Sequence, residues 1–386
     1  MMVSRILQEE IEKNLFKKKV ILILGARQIG KTTLLKEVIQ NCTEKSLCLN
    51  ADESDIRMML ESATTSTQLL QLFGNAKLIV IDEAQQIENI GLKLKLIVDT
   101  NPDLQIIATG SSAFELLQKS NEPLTGRKKE YHLYPISFSE MVNHTSLLSE
   151  KRLLETRLIY GSYPEVINNP GNEKEVLKEI ATSYLYKDVL RYEGIKKSMM
   201  LDKLLIALAL QVGSKVSYNE LAKTIGNINS ATVEKYIDLL EKAFVVYKLP
   251  ALSRNLRNEI KKGKKIYFYD NGILNTILNN FNPLELRNDK GALWENFLMS
   301  ERKKKNSYNK KYCNTYFWRT FDQSEVDYIE EYDGALHIYE FKWKTKNKKF
   351  PSSLLNAYTI SSTATIDTTN YETFIGCNFA LVQQGK

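Results

Sequence analysis

The first third of the chain repeats one pattern: a short apolar run, then a longer stretch with apolar positions three and four residues apart. The runs are VILIL (20–24), SLCLN (46–50), KLIVID (77–82), LQIIATG (104–110) and EYHLYP (130–135). Several do not alternate, as suits strands covered on both faces, and the stretches between them leave room for crossover helices. This predicts a parallel α/β sheet domain over 1–145. Residues 146–212 predict a helical connector, with LLETRLIYG and EVLKEIATSYLYKDVLRYEG at helical spacing. Over 213–272 the pattern changes. SYNELAKTIG has Ser217 as N-cap, Glu220 as the partner in a capping box and Gly226 as the stop. A turn leads to SATVEKYIDLLEKA, with Ser230 as cap, and then FVVYKLP and KKIYFYD read as strands around a basic loop. Helix, turn, helix, basic hairpin predicts a winged helix-turn-helix. Residues 273–386 predict an α+β unit: the helix GALWENFLMSERKKK, then strands TYFWRT, VDYIEEY and ALHIYEFKW, the last two joined by the turn YDG.

Composition narrows the chemistry. The 386 residues are 43% hydrophobic and 26% charged, an ordinary globular balance. The four cysteines show no CxxC pairing, and the three histidines (His132, His144, His337) are scattered. A zinc ribbon, a histidine-rich metal centre and a Ser-His-Asp hydrolase are therefore not supported. The start carries acidic residues before any apolar core, and no apolar run is long enough to span a bilayer, so the sequence reads as cytoplasmic with no membrane partner. The net charge of +7 is uneven: residues 1–150 hold 17 basic and 19 acidic side chains, the remainder 36 and 27. A polyanion-binding surface is expected in the later part.

The clearest motif is GARQIGKT, a complete G-x-x-x-x-G-K-[ST] between an apolar run and an amphipathic helix. Gly25 and Gly30 let the backbone curl around phosphates, with Ala26, Arg27, Gln28, Ile29 and Thr33 completing the nucleotide-binding loop. Lys31 reaches the β- and γ-phosphates of ATP, and the Thr32 hydroxyl ligates Mg²⁺. LIVIDEA supplies Asp82 for the Mg²⁺ shell and Glu83 to polarise the attacking water, or else an acidic cap on the next helix. Thr109, Ser111 and Ser112 end the next strand, where one hydroxyl could sense the γ-phosphate or simply cap a turn. Arg127 stands as a finger toward a neighbouring subunit's nucleotide or as a solvated member of its RKK cluster.

GARQIGKTTLL, LIVIDEAQ, TGSSAFEL, LTGR, LYPISFSE and YGSYPEV stand in the order found in a large group of bacterial and archaeal AAA-type P-loop ATPases, which the chain resembles from about residue 18 to 345. Downstream, SYLYKDVL, KIYFYDNGIL, GALWENF, EVDYI and EFKWK resemble the domain of unknown function that accompanies that ATPase. The Lys-rich segment after 344, and GSYP in place of a double glycine, depart from the group's pattern.

Glu295 on a helix, Asp327 on a strand, and Glu340 and Lys342 two apart on the next strand look like a PD-(D/E)XK nuclease core, a restriction-endonuclease-like fold. That resemblance implies Glu295, Asp327 and Glu340 as metal ligands, with Asp327, Glu340 and Lys342 as catalytic residues beside the scissile phosphate. The basic stretches KKGKK (261–265), RKKK (302–305) and KWKTKNKK (342–349) interleave with Tyr267, Tyr269, Tyr308, Trp318 and Trp343, a composition suited to DNA. The expectation is an ATP-hydrolysing protein acting on DNA, its nucleotide state gating the nuclease-like domain. The alternative is a non-cutting switch that binds DNA or a protein partner through the winged helix. A homo-oligomer is compatible with either.

Overall fold

The computed structural model describes residues 2–111, 124–191, 198–253, 263–320, 324–345 and 349–377, with the side chains of 183–191 and 198 outside that description. The chain divides into two compact units, Met1–Tyr134 with Lys242–Phe244, and Pro135–Glu241 with Val245–Lys386.

The first unit is built on a parallel sheet ordered β2-β3-β4-β1-β5. Its strands are β1 (Val20–Leu24), β2 (Ser46–Asn50), β3 (Leu78–Asp82), β4 (Gln105–Gly110) and β5 (Lys128–His132). β1 and β4 are buried at every residue, as central strands must be when helices cover both faces. The registers Leu24↔Gly110 and Ile81↔Ala108 bring the carboxyl ends of β1, β3 and β4 to one edge. In an open parallel sheet that edge is where ligands bind.

In the second unit, helices Tyr218–Gly226 and Ser230–Lys242 precede an antiparallel sheet ordered β6-β8-β7, made of β6 (Lys215–Val216), β7 (Val246–Pro250) and β8 (Lys264–Phe268). Ser217 accepts from the Glu220 N–H as expected, and the chain leaves that helix through Asn227 in the left-handed region, one residue beyond Gly226. The cap of the next helix is Asn229 rather than Ser230, because the Asn229 carboxamide reaches the Ala231 N–H at 2.8 Å. The long helix Lys290–Tyr308 then leads into a mixed sheet ordered β12-β11-β10-β9. Its strands are β9 (Asn314–Arg319), β10 (Glu325–Tyr332), β11 (Ala335–Phe341) and β12 (Ile360–Ile366). β10 and β11 form the expected hairpin, turning through Asp333 and Gly334, both at positive φ, which matches the twist of the flanking strands. Val326, Ile329, Leu336 and Ile338 carry the sheet's core. Asn296 of the long helix bonds both the N–H and the carbonyl of Phe268 at 2.8 and 3.2 Å, tying the two sheets into one unit. No helix among the described residues is long and apolar enough to cross a membrane.

Candidate functional site

Residues 25–32 follow β1 as a tight loop into the helix Lys31–Asn41. Gln28 and Gly30 both take positive φ, 60° and 92°, the conformation that turns successive N–H groups into an anion-binding concavity. Gly25 cannot be replaced cheaply: a Cβ there would lie 2.2 Å from the Leu133 carbonyl oxygen. Ala26 and Ile29 send their side chains into the core, so they offer the loop only backbone. The Lys31 ammonium, on a side chain 4% exposed, donates to the Gly25 and Ala26 carbonyls at 3.1 and 2.9 Å and lies 3.9 Å from Glu83. The Thr32 hydroxyl donates to Asp82 at 2.7 Å, pairing two hard oxygen ligands of the kind Mg²⁺ prefers. Thr33 is exposed.

Glu83 is held in the left-handed region (φ 52°), a strained conformation for a non-glycine residue that concentrates at functional sites. It starts the short turn Ala84–Gln86 without any side-chain capping bond, which removes the acidic-cap reading. Its carboxylate instead accepts from Gln85, whose amide also donates to the Ser111 hydroxyl at 3.1 Å. Gln85 closes the segment LIVIDEAQ, in which no chemistry was expected of it. Thr109 is fully buried; its hydroxyl donates to Asp82 and accepts from the Glu83 N–H at 3.0 Å. In this arrangement the Thr109 hydroxyl holds Asp82 and Glu83 in place. Ser112 lies outside the described residues. Arg127 lies away from this chain's own loop. It precedes β5, its carbonyl accepts from the Val20 N–H at the start of β1, and its guanidinium pairs with Asp99. That is the edge of the sheet opposite the loop.

The second cluster lies in the second unit. The Lys342 ammonium is 3.3 Å from Glu340 and 3.9 Å from Asp327, and Asp327 accepts from the Phe341 N–H at 2.8 Å. Asp327, Glu340 and Lys342 therefore share one face of the β10–β11 hairpin, as the two-residue period requires. Glu295 arrives from the helix, but it meets a different partner set. Tyr267 donates to it at 2.6 Å and Lys265 at 3.3 Å, and Lys265 also binds Glu325 at 2.6 Å. Burial, and then the Asp327 charge, push the Glu295 carboxyl up to about 7 against the pull of Lys265. Burial works to lower the Lys265 ammonium, yet Glu295, Asp327 and Glu325 outweigh it and hold it raised. The expected trio of carboxylate ligands is corrected accordingly. Among the described residues no three acidic, cysteine or histidine side chains stand together closely enough to hold a metal ion. The acids form two pairs, Asp327 with Glu340 under Lys342, and Glu295 with Glu325 under Lys265. Lys265, Tyr267 and Glu325 were missed in the sequence because nothing local marks them as neighbours of Glu295.

The basic stretches are corrected in part. Lys265, Tyr267, Tyr269, Tyr308 and Trp318 are buried, and so are Arg302 and Lys304, which bind Glu330 and Glu301. Such groups cannot meet a nucleic acid. Lys261, Lys262 and residues 346–348 lie outside the described residues, as do the side chains of SYLYKDVL. The first residues of the third stretch, Lys342, Trp343 and Lys344, do reach the surface.

Comparison with known proteins agrees with the geometry of the first unit. Residues 17–142 match a family model described as an AAA domain. This part of the chain is similar to AAA-type P-loop domains. Two further models, described as domains of unknown function (DUF8612 and DUF4143), match residues 151–284 and 290–378. An uncharacterized protein of Mycobacterium tuberculosis is 26% identical over 353 residues, 90% of this chain and 75% of the relative. An uncharacterized protein of Haemophilus influenzae is 28% identical over 275 residues, 65% of this chain and 67% of the relative. Among solved structures, a Walker-type ATPase of Pyrococcus abyssi is 18% identical with a TM-score of 0.48, covering 72% of this chain and 96% of its own.

Proposed function

We propose that the first unit binds ATP with Mg²⁺ and hydrolyses it. The observation that carries this is the convergence of Lys31, Thr32, Asp82 and Glu83 at one sheet edge. In this reading the loop N–H groups and Lys31 hold the phosphates, while Thr32 and Asp82 hold the metal, which supplies charge neutralisation. Glu83 orients and polarises the attacking water. Gln85 and Thr109 keep Glu83 and Asp82 in place. Lys31→Ala should abolish tight ATP binding, because the ammonium is the main point charge on the terminal phosphates. Glu83→Gln should keep binding and stop turnover. Calorimetry and phosphate release separate the two; wild-type affinity in Lys31→Ala, or undiminished turnover in Glu83→Gln, sinks the assignment.

The second reading is that the C-terminal sheet is a nuclease-like domain gated by nucleotide state. The element order supports it: long helix, three antiparallel strands, short helix, and a fourth strand parallel to the third. So do the shared face of Asp327 and Glu340 and the ammonium of Lys342 between them. Two carboxylates suit a divalent ion; Lys342 would stand beside the scissile phosphate. The order β6, helix, helix, β7, β8 suits a winged helix. Its second helix, however, carries Glu234, Asp238 and Glu241, of which the first pairs with Lys264 and the latter two with Lys248. A helix whose acids and lysines are matched offers phosphates no cationic face and suits a protein partner there. The non-cutting switch remains the outcome if no metal supports cleavage.

A further inference from the structure

An open groove of about 410 Å³ lies in the second unit immediately beyond Lys342. Trp343 and Lys344, where the chain leaves β11, line it, and so do Lys151 and Arg152 from the last turn of the helix Leu147–Arg152. Thr368 and Glu155 complete the polar lining, so three cations face one carboxylate. Lys151 is held by the nearly buried carboxylate of Glu372, while Arg152 and Lys344 are exposed. The Trp343 ring meets Trp294 edge to face, with centroids 5.5 Å apart and planes at 83°. That contact anchors the indole and leaves at least one of its faces uncovered by it. Trp294 directly precedes Glu295, and Lys342 directly precedes Trp343, so the groove and the acidic cluster draw on neighbouring residues of the same two chain segments.

We infer that this groove holds a single nucleic-acid strand, with Arg152 and Lys344 on the phosphates and Trp343 stacked on an unpaired base. Cations on both walls around one aromatic face match a backbone with exposed bases, which a paired duplex does not offer. The inference rests on the nuclease-like reading for its purpose, but binding can be measured without cleavage.

The test uses the full chain in EDTA with a fluorescein-labelled single-stranded oligonucleotide and a duplex of the same sequence. Fluorescence anisotropy should show the single strand bound more tightly than the duplex, with affinity falling steeply as salt rises. Arg152→Ala with Lys344→Ala should weaken single-strand binding about tenfold or more at low salt and flatten the salt slope by about two phosphate contacts. Trp343→Leu should cost about fivefold or more for the single strand and leave the duplex unchanged, because only unpaired bases stack. Trp343→Phe retains an aromatic face and should bind nearly as wild type, while the quench of tryptophan fluorescence on binding disappears. Unchanged single-strand affinity in the Arg152/Lys344 and Trp343→Leu variants, with wild-type melting curves, overturns the groove. So does competition by an acidic peptide at lower concentration than by the oligonucleotide. Intact binding without metal-dependent cleavage would instead sink the nuclease reading alone, and cleavage that survives these substitutions would sink the groove alone.

Discussion

Glu295 shows how one residue's environment sets its behaviour. Its carboxyl is largely buried against Tyr267, Lys265 and Asp327, and its pKa is raised from 4.5 to about 7, first by burial and then by the Asp327 charge. A carboxyl that binds its proton more tightly in the folded chain than in the unfolded one stabilises at low pH. Between about 4.5 and about 7 the unfolded state has released the proton and the folded state has not, so stability must fall as pH rises through that window. Lys265 stays charged throughout, because its own pKa is raised. Thermal melts of the wild type should therefore show a melting temperature that declines across this range, and Glu295→Gln should remove most of the decline. A pH dependence identical in both proteins would mean that Glu295 is ionised with its neighbours and that the cluster is arranged differently. At this scale the sequence disclosed the phosphate loop completely, since its chemistry is written in consecutive residues. It disclosed Asp327, Glu340 and Lys342 through the two-residue period of a strand. It could not disclose Lys265 and Tyr267 beside Glu295, because contacts between residues about thirty positions apart are made by packing and leave no local pattern.

The elements were legible where an apolar pattern had one meaning. Four of the five parallel strands coincide with the runs read from the sequence, while β5 (KKEYH) starts two residues before its run, and the β10–β11 hairpin was marked by its Asp-Gly turn. The helix Lys290–Tyr308 was placed correctly, but its RKKK segment was read as a basic stretch suited to DNA. Arg302 and Lys304 are buried because Glu330 and Glu301 meet them there; charge alone does not say whether a partner waits inside. The helix Asn271–Leu278 has a similar hidden dependence. Its cap, Asp270, accepts from the Gly272 and Ile273 N–H groups at 2.8 and 3.2 Å and from the Ser162 N–H, far upstream, at 2.8 Å. Gly161 permits this approach, since a Cβ there would lie 2.0 Å from the Asp270 carboxylate. Asp270→Ala removes a cap and strands a buried Ser162 donor at once, so it should cost about 2–4 kcal/mol in urea unfolding. A loss under about 1 kcal/mol would show that water or a neighbouring group replaces the carboxylate.

For the whole molecule, the charge division follows the units. Residues 1–134 hold 17 basic and 17 acidic side chains, while 135–386 hold 36 and 29, so the positive surplus belongs to the second unit. The ATP loop and the Asp327–Glu340–Lys342 cluster therefore sit in separate units of unlike charge, and any gating has to be a coupling free energy between distinct sites. This makes gating separable from both chemistries. Asp327→Ala should abolish metal-dependent cleavage of single-stranded DNA and leave ATP turnover at the wild-type rate, since no bond of Asp327 reaches the first unit. Lys31→Ala should cleave at one fixed rate whether or not ATP is present, because a nucleotide that cannot bind cannot favour one state over the other. The wild type should respond to ATP, and Glu83→Gln, which binds without turning over, should hold the ATP-bound cleavage rate indefinitely instead of for the lifetime of one nucleotide. Reciprocity supplies the decisive control: if nucleotide alters the grip on a single strand by some factor, that strand must alter nucleotide affinity by the same factor. Calorimetric titration of nucleotide with Mg²⁺ into Glu83→Gln carrying Asp327→Ala to prevent cutting, with and without saturating oligonucleotide, measures that factor directly. An affinity unchanged by the oligonucleotide would leave two independent activities on one chain and end the gating proposal, whatever each site does alone.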